Sequence, residues 1–600
     1  MKSFLFDIIK KVFAYLIASV LTFLIIIGVY AAIIGGVSQG PTVQVNERSF
    51  LILSLDRNIS DQPRQLTTSD ALGQLLSGAP EPLHLYEIIT AIDEAKQDSR
   101  IAGIFLVGNL VSENYGSSYS AIGEIREALI DFQDEGKSVL GYIENASQID
   151  YYLYSVCTEI LANPFGSIQL NGLATLNPYF AGAMDKFGIE AQVVRVGDYK
   201  SAIEPYIRAD MSEESRAQTQ ELLASIWETI ALEMGDSRGV PVELLDKWAN
   251  QHGVFEARKA LDYGLVDQLL YYDEALQYVG GYGETIQEGR TFEQVEIDDY
   301  ILTQSERYDN FSDEPYVAVI YAEGDIVDAT EPANDIAGDW LARQIRDIRY
   351  ADELPAAVVL RINSPGGSAY ASEVIRREME LLNAEVPVIV SMGGLGASGG
   401  YWIATANDGI FVDEATITGS IGVFGLLLNV KEAGGKLGVT FDGVKTHDLG
   451  YLYSGVTRKN ETEMAVFQES VDQLYGEFID RVIGSRRDLS RESLEKIAGG
   501  RVWSGAQAIE LGLADQAGGL MAAIEHAADI SGLLSGYRVE EYPKKQTPES
   551  FLSGLFTEGV NVDFHTGVTI PKELQEIETL LKSLKRQGKI LAKSPITGLE

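Results

Sequence analysis

The sequence predicts an α/β protein that contains two copies of one domain after a single N-terminal transmembrane helix. Three observations carry this prediction: a self-similarity at an offset of 250 residues, β-branched runs that alternate with helical patterns, and one long apolar segment near the N-terminus. We expect a cytoplasmic stub and anchor at 1–40, an N-terminal copy at 41–300, a C-terminal copy at 301–540 and a C-terminal extension at 541–600.

The composition is that of a folding protein and excludes several classes of function. The 600 residues are 46% hydrophobic and 22% charged, and 47 basic against 88 acidic residues give a formal charge of −41. Such a charge repels a polyphosphate backbone, so we expect no nucleic acid among the partners. Cys157 is the single cysteine and there are only five histidines, without metal-ligand spacing, so we expect no disulfide framework, no metal site and no cofactor.

The apolar segment predicts one membrane span. Residues 12–34 are 23 residues without a charge, enough to cross about 30 Å of hydrocarbon as a helix. Lys2, Lys10 and Lys11 precede it, so the positive-inside rule places the N-terminus in the cytoplasm and the bulk of the chain on the other side. The run is long and the following GGVSQGP is a weak cleavage site, which favours an uncleaved anchor over a signal peptide.

The duplication is visible as paired segments. AIGEIREAL at 121–129 corresponds to ASEVIRREM at 371–379, and YYLYSVCTEILAN at 151–163 to YWIATANDGIFVD at 401–413. In each copy short β-branched runs alternate with helical patterns, which indicates βαβ units around a largely parallel sheet.

Four further segments complete the prediction along the chain. Long amphipathic helices are expected at 212–235 and 460–484, the first opened by a capping box of Asp210 and Glu213. The polar, acidic stretch 285–315 is expected to connect the copies. A peripheral helix is expected at 571–592, and a solvated role explains Lys582, Lys585, Arg586 and Lys589 more simply than lipid or partner binding.

The copies differ in two segments, which contain paired glycines in the second copy but not in the first. The second has RINSPGGSAY at 361–370 and GLGASGGYW at 394–402, whereas the first has VGNLVSENYG at 107–116, and the offset places Gln148 opposite Ser398. Gly366 and Gly367 can turn backbone N–H groups toward a developing oxyanion, and Ser398 can attack a carbonyl held by such groups. A plain turn followed by an N-cap serine remains the alternative.

A serine nucleophile needs a base, and the residues leave two candidates open. One is His447, which lies beside Asp448 in the second copy's central region. The alternative for His447 is an exposed loop residue without a catalytic role. Lys200, in VVRVGDYKSAIEPY, would act as a base only if burial lowered its pKa by several units; otherwise it is a surface lysine.

Taken together, GDYKSAIEPY, NSPGGS, ASGGYW and TGSIGV resemble the long, duplicated form of the signal peptide peptidase A (protease IV) family, Ser/Lys-dyad peptidases of the bacterial envelope. The resemblance implies that Ser398 is the nucleophile and Lys200 the general base. It also implies that the N–H groups of Gly367 and Gly399 hold the oxyanion and that Ser420 orients the lysine amine. Ser147, in ENASQID, mimics the nucleophile motif without its glycines and is interpreted as structural.

The resemblance also implies a fold, a location and partners. It implies crotonase/ClpP-like copies, assembly into membrane-attached homotetramers, and cleaved signal peptides as substrates. The place would be the bacterial cytoplasmic membrane, with one span anchored in lipid and the catalytic copies on the extracytoplasmic side. The alternatives are a crotonase-type acyl-CoA enzyme, because paired N–H groups can also hold a thioester enolate, and a non-catalytic membrane scaffold.

Overall fold

The structure, a computed structural model, describes residues 44–63, 65, 81–284, 292–308, 314–330, 335–533, 536–546 and 590–593. Both copies fall in one compact unit, which includes Asn46–Gln546. The anchor predicted at 12–34 lies outside the described residues. Within the described ranges, no helix combines the length and the apolar character needed to cross a membrane.

The strands are short and lie in both copies. Up to the connection they are β1 (Ser49–Ser54), β2 (Ile59–Ser60), β3 (Leu83–His84), β4 (Ile101–Val107), β5 (Ser138–Ala146), β6 (Glu159–Leu170), β7 (Glu190–Arg195), β8 (Gly253–Glu256), β9 (Gln268–Leu269) and β10 (Gln294–Glu296). After it they are β11 (Tyr316–Glu323), β12 (Ile326–Val327), β13 (Ile336–Ala337), β14 (Ala357–Ser364), β15 (Gly366–Ser368), β16 (Val388–Ala397), β17 (Gly409–Val412), β18 (Ile417–Gly419), β19 (Phe424–Asn429), β20 (Val502–Ser504), β21 (Gln516–Ala517), β22 (Arg538–Tyr542) and β23 (Ile590–Lys593).

Helices connect these strands. The helices up to the connection are α1 (Leu85–Gln97), α2 (Tyr119–Asp134), α3 (Gln148–Tyr154), α4 (Ala181–Phe187), α5 (Glu204–Ile207), α6 (Glu213–Arg238), α7 (Val242–Gln251), α8 (Ala257–Asp262), α9 (Tyr272–Gly280) and α10 (Ile297–Tyr308). Those after it are α11 (Gly338–Arg349), α12 (Ala369–Asn383), α13 (Gly399–Ala404), α14 (Lys431–Lys436), α15 (Glu461–Ser485), α16 (Arg491–Ile497), α17 (Gly505–Glu510) and α18 (Leu520–Ile530). A short 3₁₀ helix lies at Ser201–Ile203.

The two copies build sheets with the same strand order. The first sheet runs β10-β1-β4-β5-β6-β8 and the second runs β22-β11-β14-β16-β18-β20. In both, all neighbours along the path are parallel except the last, where β8 and β20 are antiparallel to their partners. The matching order confirms the predicted α/β class and tandem duplication.

A third sheet is shared between the copies. Its order is β13-β12-β15-β23-β19-β7, so it combines strands of the second copy with β7 of the first and with β23 near the C-terminus. The helix predicted at 571–592 lies outside the described residues up to 589, and its last three residues belong to β23 instead. These residues are extended because β23 pairs with β15 and β19.

The long helices are close to their predicted positions, with one wrong cap. They span Glu213–Arg238 and Glu461–Ser485. The first is capped by Ser212, whose hydroxyl accepts the Ser215 N–H at 3.1 Å, so the predicted Asp210–Glu213 capping box is wrong. Glu204 accepts hydrogen bonds from the Ser212 N–H and hydroxyl and thereby fixes the cap. The predicted connection 285–315 contains β10 and α10, and β10 pairs with β1.

A buried ion cluster joins the copies. Arg361 of β14 bonds Asp61 at 2.7 Å and Glu124 at 2.5 Å, both from the first copy, and the three side chains are 0%, 2% and 4% exposed. The arginine also donates to Ser391 Oγ at 2.8 Å, and Glu124 accepts the Leu520 N–H at 2.6 Å. The guanidinium thus compensates two carboxylates that have no access to water.

We predict that Arg361→Leu lowers the free energy of unfolding by about 3–5 kcal/mol, because it leaves two buried carboxylates without a counter-ion. Urea unfolding followed by circular dichroism measures the loss. The control is Arg377→Leu, whose ion pair with Glu380 is 59% and 45% exposed and should contribute less than about 1 kcal/mol. Equal effects of the two variants would show that the cluster does not hold the copies together.

Candidate active site

Two serines emerge side by side from neighbouring parallel strands. β16 and β18 are in register at Ala397 and Gly419, so the next residues, Ser398 and Ser420, leave the carboxyl ends of both strands together. Ser398 has φ 57° and ψ −113°, and Ser420 has φ 52°. Residues other than glycine rarely adopt such angles, and strained backbone of this kind is enriched at functional sites.

The hydroxyl of Ser398 does not cap the helix that follows it. Ser398 is the N-cap residue of α13, yet its side chain makes no capping hydrogen bond. Its N–H donates to Gly419 O at 2.8 Å, which ties it to the neighbouring strand. Ser398 thus occupies the N-cap position without capping through its side chain, and its hydroxyl is available for another partner.

Strand β7 brings Lys200 from the first copy to the second. β7 pairs antiparallel with β19 over its whole length. The chain then continues along the second copy, where the Val196 N–H donates to Val423 O at 3.1 Å and the Tyr199 N–H to Gly499 O at 3.2 Å. Lys200 follows directly, so its position is set by main-chain hydrogen bonds between the copies.

Glycines permit this close approach of two backbones. A Cβ added to Gly197 would lie 2.1 Å from Gly499 O, and one added to Gly500 would lie 2.6 Å from the Cβ of Lys200. The sequence analysis did not single out Gly499 and Gly500. Their signal was the dipeptide after Ala498, which by itself indicates only a turn.

The Lys200 amine lies in a fully buried pocket of neutral oxygens. Its Nζ is 2.6 Å from Ser398 Oγ and 3.0 Å from both the carbonyl and the hydroxyl oxygen of Ser420. Lys200, Ser398 and Ser420 are each 0% exposed. Burial lowers the pKa of Lys200 well below its usual 10.5, because the ammonium form loses its hydration. An uncharged amine at this distance can accept the proton of the serine hydroxyl.

The two glycines predicted as oxyanion donors lie next to each other. A Cβ added to Gly399 would lie 3.0 Å from the backbone N of Gly367 and 3.0 Å from the Cα of Gly366. A Cβ on Gly367 would lie 2.0 Å from Ile326 O. Only glycine therefore allows the start of α13 and strand β15 to approach so closely, beside the hydroxyl of Ser398.

His447, the other candidate base, is not part of this cluster. It lies on an exposed loop, where its Nδ1 and the Thr446 hydroxyl are 2.9 Å apart. Of the two candidates, the structure brings Lys200 to the serine. Among the described residues, no three His, Cys, Asp or Glu side chains are grouped so that they could hold a metal ion.

The first copy has a capping serine at the equivalent position. Ala146 ends β5 as Ala397 ends β16, so Ser147 follows its strand as Ser398 does. In the helices that follow, Tyr151 and Tyr401 donate equivalent hydrogen bonds to Leu265 O and Leu513 O, which keeps the offset of 250 that places Gln148 opposite Ser398. Ser147 donates to Asp150 Oδ2 at 2.6 Å in a capping box, which fits its structural interpretation.

A largely apolar cavity of about 640 Å³ lies beside the site. Its wall is formed by residues of β7, β15 and β19 and of the helices α12, α13 and α15; among them are Ser368, Gly425, Leu426, Val194, Trp402 and Phe467. A cavity of this size and character suits the apolar side chains of an extended peptide.

Comparisons with known proteins agree with this picture. A family model described as peptidase family S49 matches residues 131–280 and again 380–533, once in each copy. Protease 4 of Haemophilus influenzae is 32% identical over 555 residues, 89% of this chain and 89% of that protein. Serine protease SPPA, chloroplastic, of Arabidopsis thaliana is 30% identical over 536 residues, 87% of this chain and 76% of that protein. A putative signal peptide peptidase SppA of Enterococcus faecium is 38% identical over 168 residues, 28% of this chain and 48% of that protein.

The backbone angles of Ser398 predict an unusual order of stability. Ser398→Gly should be more stable than Ser398→Ala by about 1 kcal/mol, because relief of positive-φ strain exceeds the entropic cost of glycine. Thermal unfolding measures the difference between these two variants. At Ser470, inside helix α15, the order should reverse by about the same amount. A more stable alanine variant at both positions would show that the serine backbone is not strained.

Proposed function

The chain belongs to peptidase family S49, and from this membership we propose that it is a membrane-anchored serine endopeptidase that degrades cleaved signal peptides with a Ser398–Lys200 dyad. One observation carries the dyad: the 2.6 Å distance between Lys200 Nζ and Ser398 Oγ in a site without exposed surface. The names of the relatives support peptide-bond hydrolysis by a serine.

In the proposed reaction the two side chains exchange one proton at each stage. The uncharged Lys200 amine takes the hydroxyl proton while Ser398 Oγ bonds to the substrate carbonyl carbon, and the N–H groups of Gly367 and Gly399 hold the oxyanion. The ammonium then protonates the leaving amine, and the C–N bond breaks. A water molecule repeats the sequence on the resulting ester: the lysine takes its proton, and Ser398 leaves with that proton restored.

Ser420 has a positioning role in this proposal. Its carbonyl and hydroxyl oxygens both lie 3.0 Å from Lys200 Nζ, so the third partner, Ser398 Oγ, is the one left for proton transfer. These three partners are neutral oxygens, so none of them supplies a negative charge that would hold the lysine in its ammonium form.

The proposal extends to substrates, place and assembly. One relative bears the name signal peptide peptidase, and the apolar cavity beside the site suits peptides from membrane segments. The segment 12–34 would anchor the chain in the lipid of a bacterial cytoplasmic membrane, with both copies on the extracytoplasmic side. Assembly as a homotetramer is part of the proposal because the family resemblance implies it.

The dyad predicts which substitutions abolish peptide cleavage. Lys200→Met and Ser398→Ala should each lower kcat for an apolar reporter peptide at least about 1,000-fold, because each removes one partner of the proton transfer. His447→Ala should retain nearly full activity, since this side chain is exposed and is not among the hydrogen-bond partners given for Lys200. Loss of activity in the histidine variant, with the lysine variant active, would refute the dyad. Circular dichroism verifies that all three variants are folded.

The buried amine also predicts the pH dependence. Since the uncharged form is the base, kcat/KM should rise with pH, with the apparent pKa of the rising limb well below 10.5. Ser420→Ala should lower kcat about 10- to 100-fold, because the amine loses an orienting partner.

The same variant should move the limb to lower pH. The lost hydroxyl oxygen is an acceptor that stabilises the ammonium form, so its removal lowers the pKa of Lys200 further. Alanine at this position keeps the Cβ and the backbone angles of serine. A limb that moves upward, or stays in place with unchanged kcat, would contradict the role of Ser420.

A further inference from the structure

Helix α6 of the first copy contacts the strand that lies beside the serine strands of the second copy. Three of its side chains, at the helical spacing 218, 221 and 225, bond to residues 501–504. β20 lies there and pairs antiparallel with β18, which ends directly before Ser420. α6 is therefore connected to the serine strands through β20.

The main chain of β20 has one N–H group that β18 does not use. The Ser420 N–H donates to Arg501 O at 2.6 Å, so these two residues form a hydrogen-bonded pair of the ladder. In an antiparallel ladder such pairs alternate with pairs that make no bond to each other. Val502, opposite Gly419, is in a pair of the second kind, so its N–H points away from β18. The side chain of Gln218 supplies the acceptor, with Oε1 3.3 Å from the Val502 nitrogen.

The other end of the same carboxamide holds the loop that contains the proposed base. Gln218 Nε2 donates to the carbonyl oxygen of Tyr199 at 3.0 Å and to Ser201 Oγ at 3.2 Å. These two residues are the neighbours of Lys200 on either side. Gln218 is 1% exposed, so its contacts lie in the interior between the copies. We call this connection between the lysine loop and Val502 the amide bridge.

An amide is the group that the amide bridge requires. The Tyr199 carbonyl can only accept a hydrogen bond and the Val502 N–H can only donate one, so the side chain between them needs a donor at one end and an acceptor at the other. A carboxylate of the same length would face the Tyr199 carbonyl with a second acceptor, and a methionine would offer neither group. The two main-chain groups thus explain a glutamine at position 218.

The charged side chains beside the amide bridge are paired with each other. Glu221, three residues further along α6, forms an ion pair with Arg501. The guanidinium of Arg501 also lies 5.1 Å from the ring centroid of Tyr199 and 4.2 Å from that of Trp503. The amide bridge itself is uncharged, so it can hold the lysine loop without stabilising the ammonium form of Lys200.

We propose that Gln218 is a positioning residue for the Ser398–Lys200 dyad and acts through the main chain on both sides of the lysine. This inference rests on the proposed function, because it assumes that Lys200 is the base. The amide bridge adds a side-chain link to the main-chain bonds that tie residues 196 and 199 to the second copy. A misplacement of about 1 Å can lower a rate about 100-fold, so a loosened lysine loop should slow the proton transfer.

The first experiment removes the amide bridge and keeps the length of the side chain. In Gln218→Met, kcat at high pH, where Lys200 is uncharged, should fall about 10- to 100-fold while KM changes less than about twofold, because the base is misplaced and the substrate contacts are not. Gln220→Met, at an exposed position of the same helix, is the matched control and should keep full activity. A high-pH kcat of Gln218→Met within about twofold of that of the unsubstituted chain would overturn the inference.

The second experiment separates positioning from folding. Gln218→Glu keeps an acceptor for the Val502 N–H but puts a negative charge beside the lysine loop, and such a charge stabilises the ammonium form. The rising limb of kcat/KM should therefore move to higher pH by about one unit, whereas Gln220→Glu should leave it in place. The position of the limb does not depend on how many molecules are folded. A limb that stays in place in Gln218→Glu would overturn the positioning role, because the lower kcat of Gln218→Met would then reflect only fewer folded molecules.

The third experiment does not depend on catalysis. Hydrogen exchange of the amides at 199–201 and 501–503 is measured in Gln218→Met and Gln220→Met. Faster exchange at both segments in Gln218→Met alone supports the amide bridge even if the unsubstituted chain cleaves no peptide, in which case only the proposed function fails. Equal exchange in the two variants overturns the inference. An active peptidase whose high-pH kcat, limb and exchange are all insensitive to substitution at position 218 leaves the proposed function intact and refutes this inference alone.

Discussion

The arrangement depends on keeping one lysine out of water without giving it a counter-ion. An ammonium transferred to such a place loses several kcal/mol of hydration, so burial lowers the pKa of the amine and favours its uncharged form. Lys200 has three neutral oxygen partners, and no carboxylate pairs with it among the described residues. A carboxylate there would restore the charge and remove the base. The rest of the fold supplies a dry pocket, and neither copy could enclose it alone.

Two kinds of contact make that enclosure rigid. Near the site the contacts are main-chain ones: β7 pairs with β19, and Gly197 lies against Gly499. Farther away, Arg361 compensates Asp61 and Glu124 across the boundary between the copies. Main-chain contacts fix the position of Lys200, whereas separating the copies would leave the charges of the ion cluster without their partners. The main-chain contacts set the geometry of the site, and the ion cluster opposes a separation of the copies that would admit water to the pocket.

How much the sequence predicted depended on the distance between interacting residues. Local periodicity and the 250-residue offset predicted the repeated α/β order and the two long helices. Composition and spacing did not decide between His447 and Lys200, because burial of the lysine arises from residues about 300 positions away, at Gly499 and Gly500. The family resemblance named the lysine, without a physical reason. The prediction of a helix at 571–592 is wrong at residues 590–592 for the same reason. These residues belong to β23, which pairs with strands that are distant in the sequence.

The third sheet positions the buried lysine. β19 pairs on one edge with β7, which carries Lys200 to the site, and on its other edge with β23. β19 therefore fixes the strand that positions the amine. Among the described residues of the first copy, Ser147 instead caps a helix through Asp150, and β7 pairs with β19 of the second copy. The two members of the proposed dyad therefore come from different copies, so the site needs both copies to form.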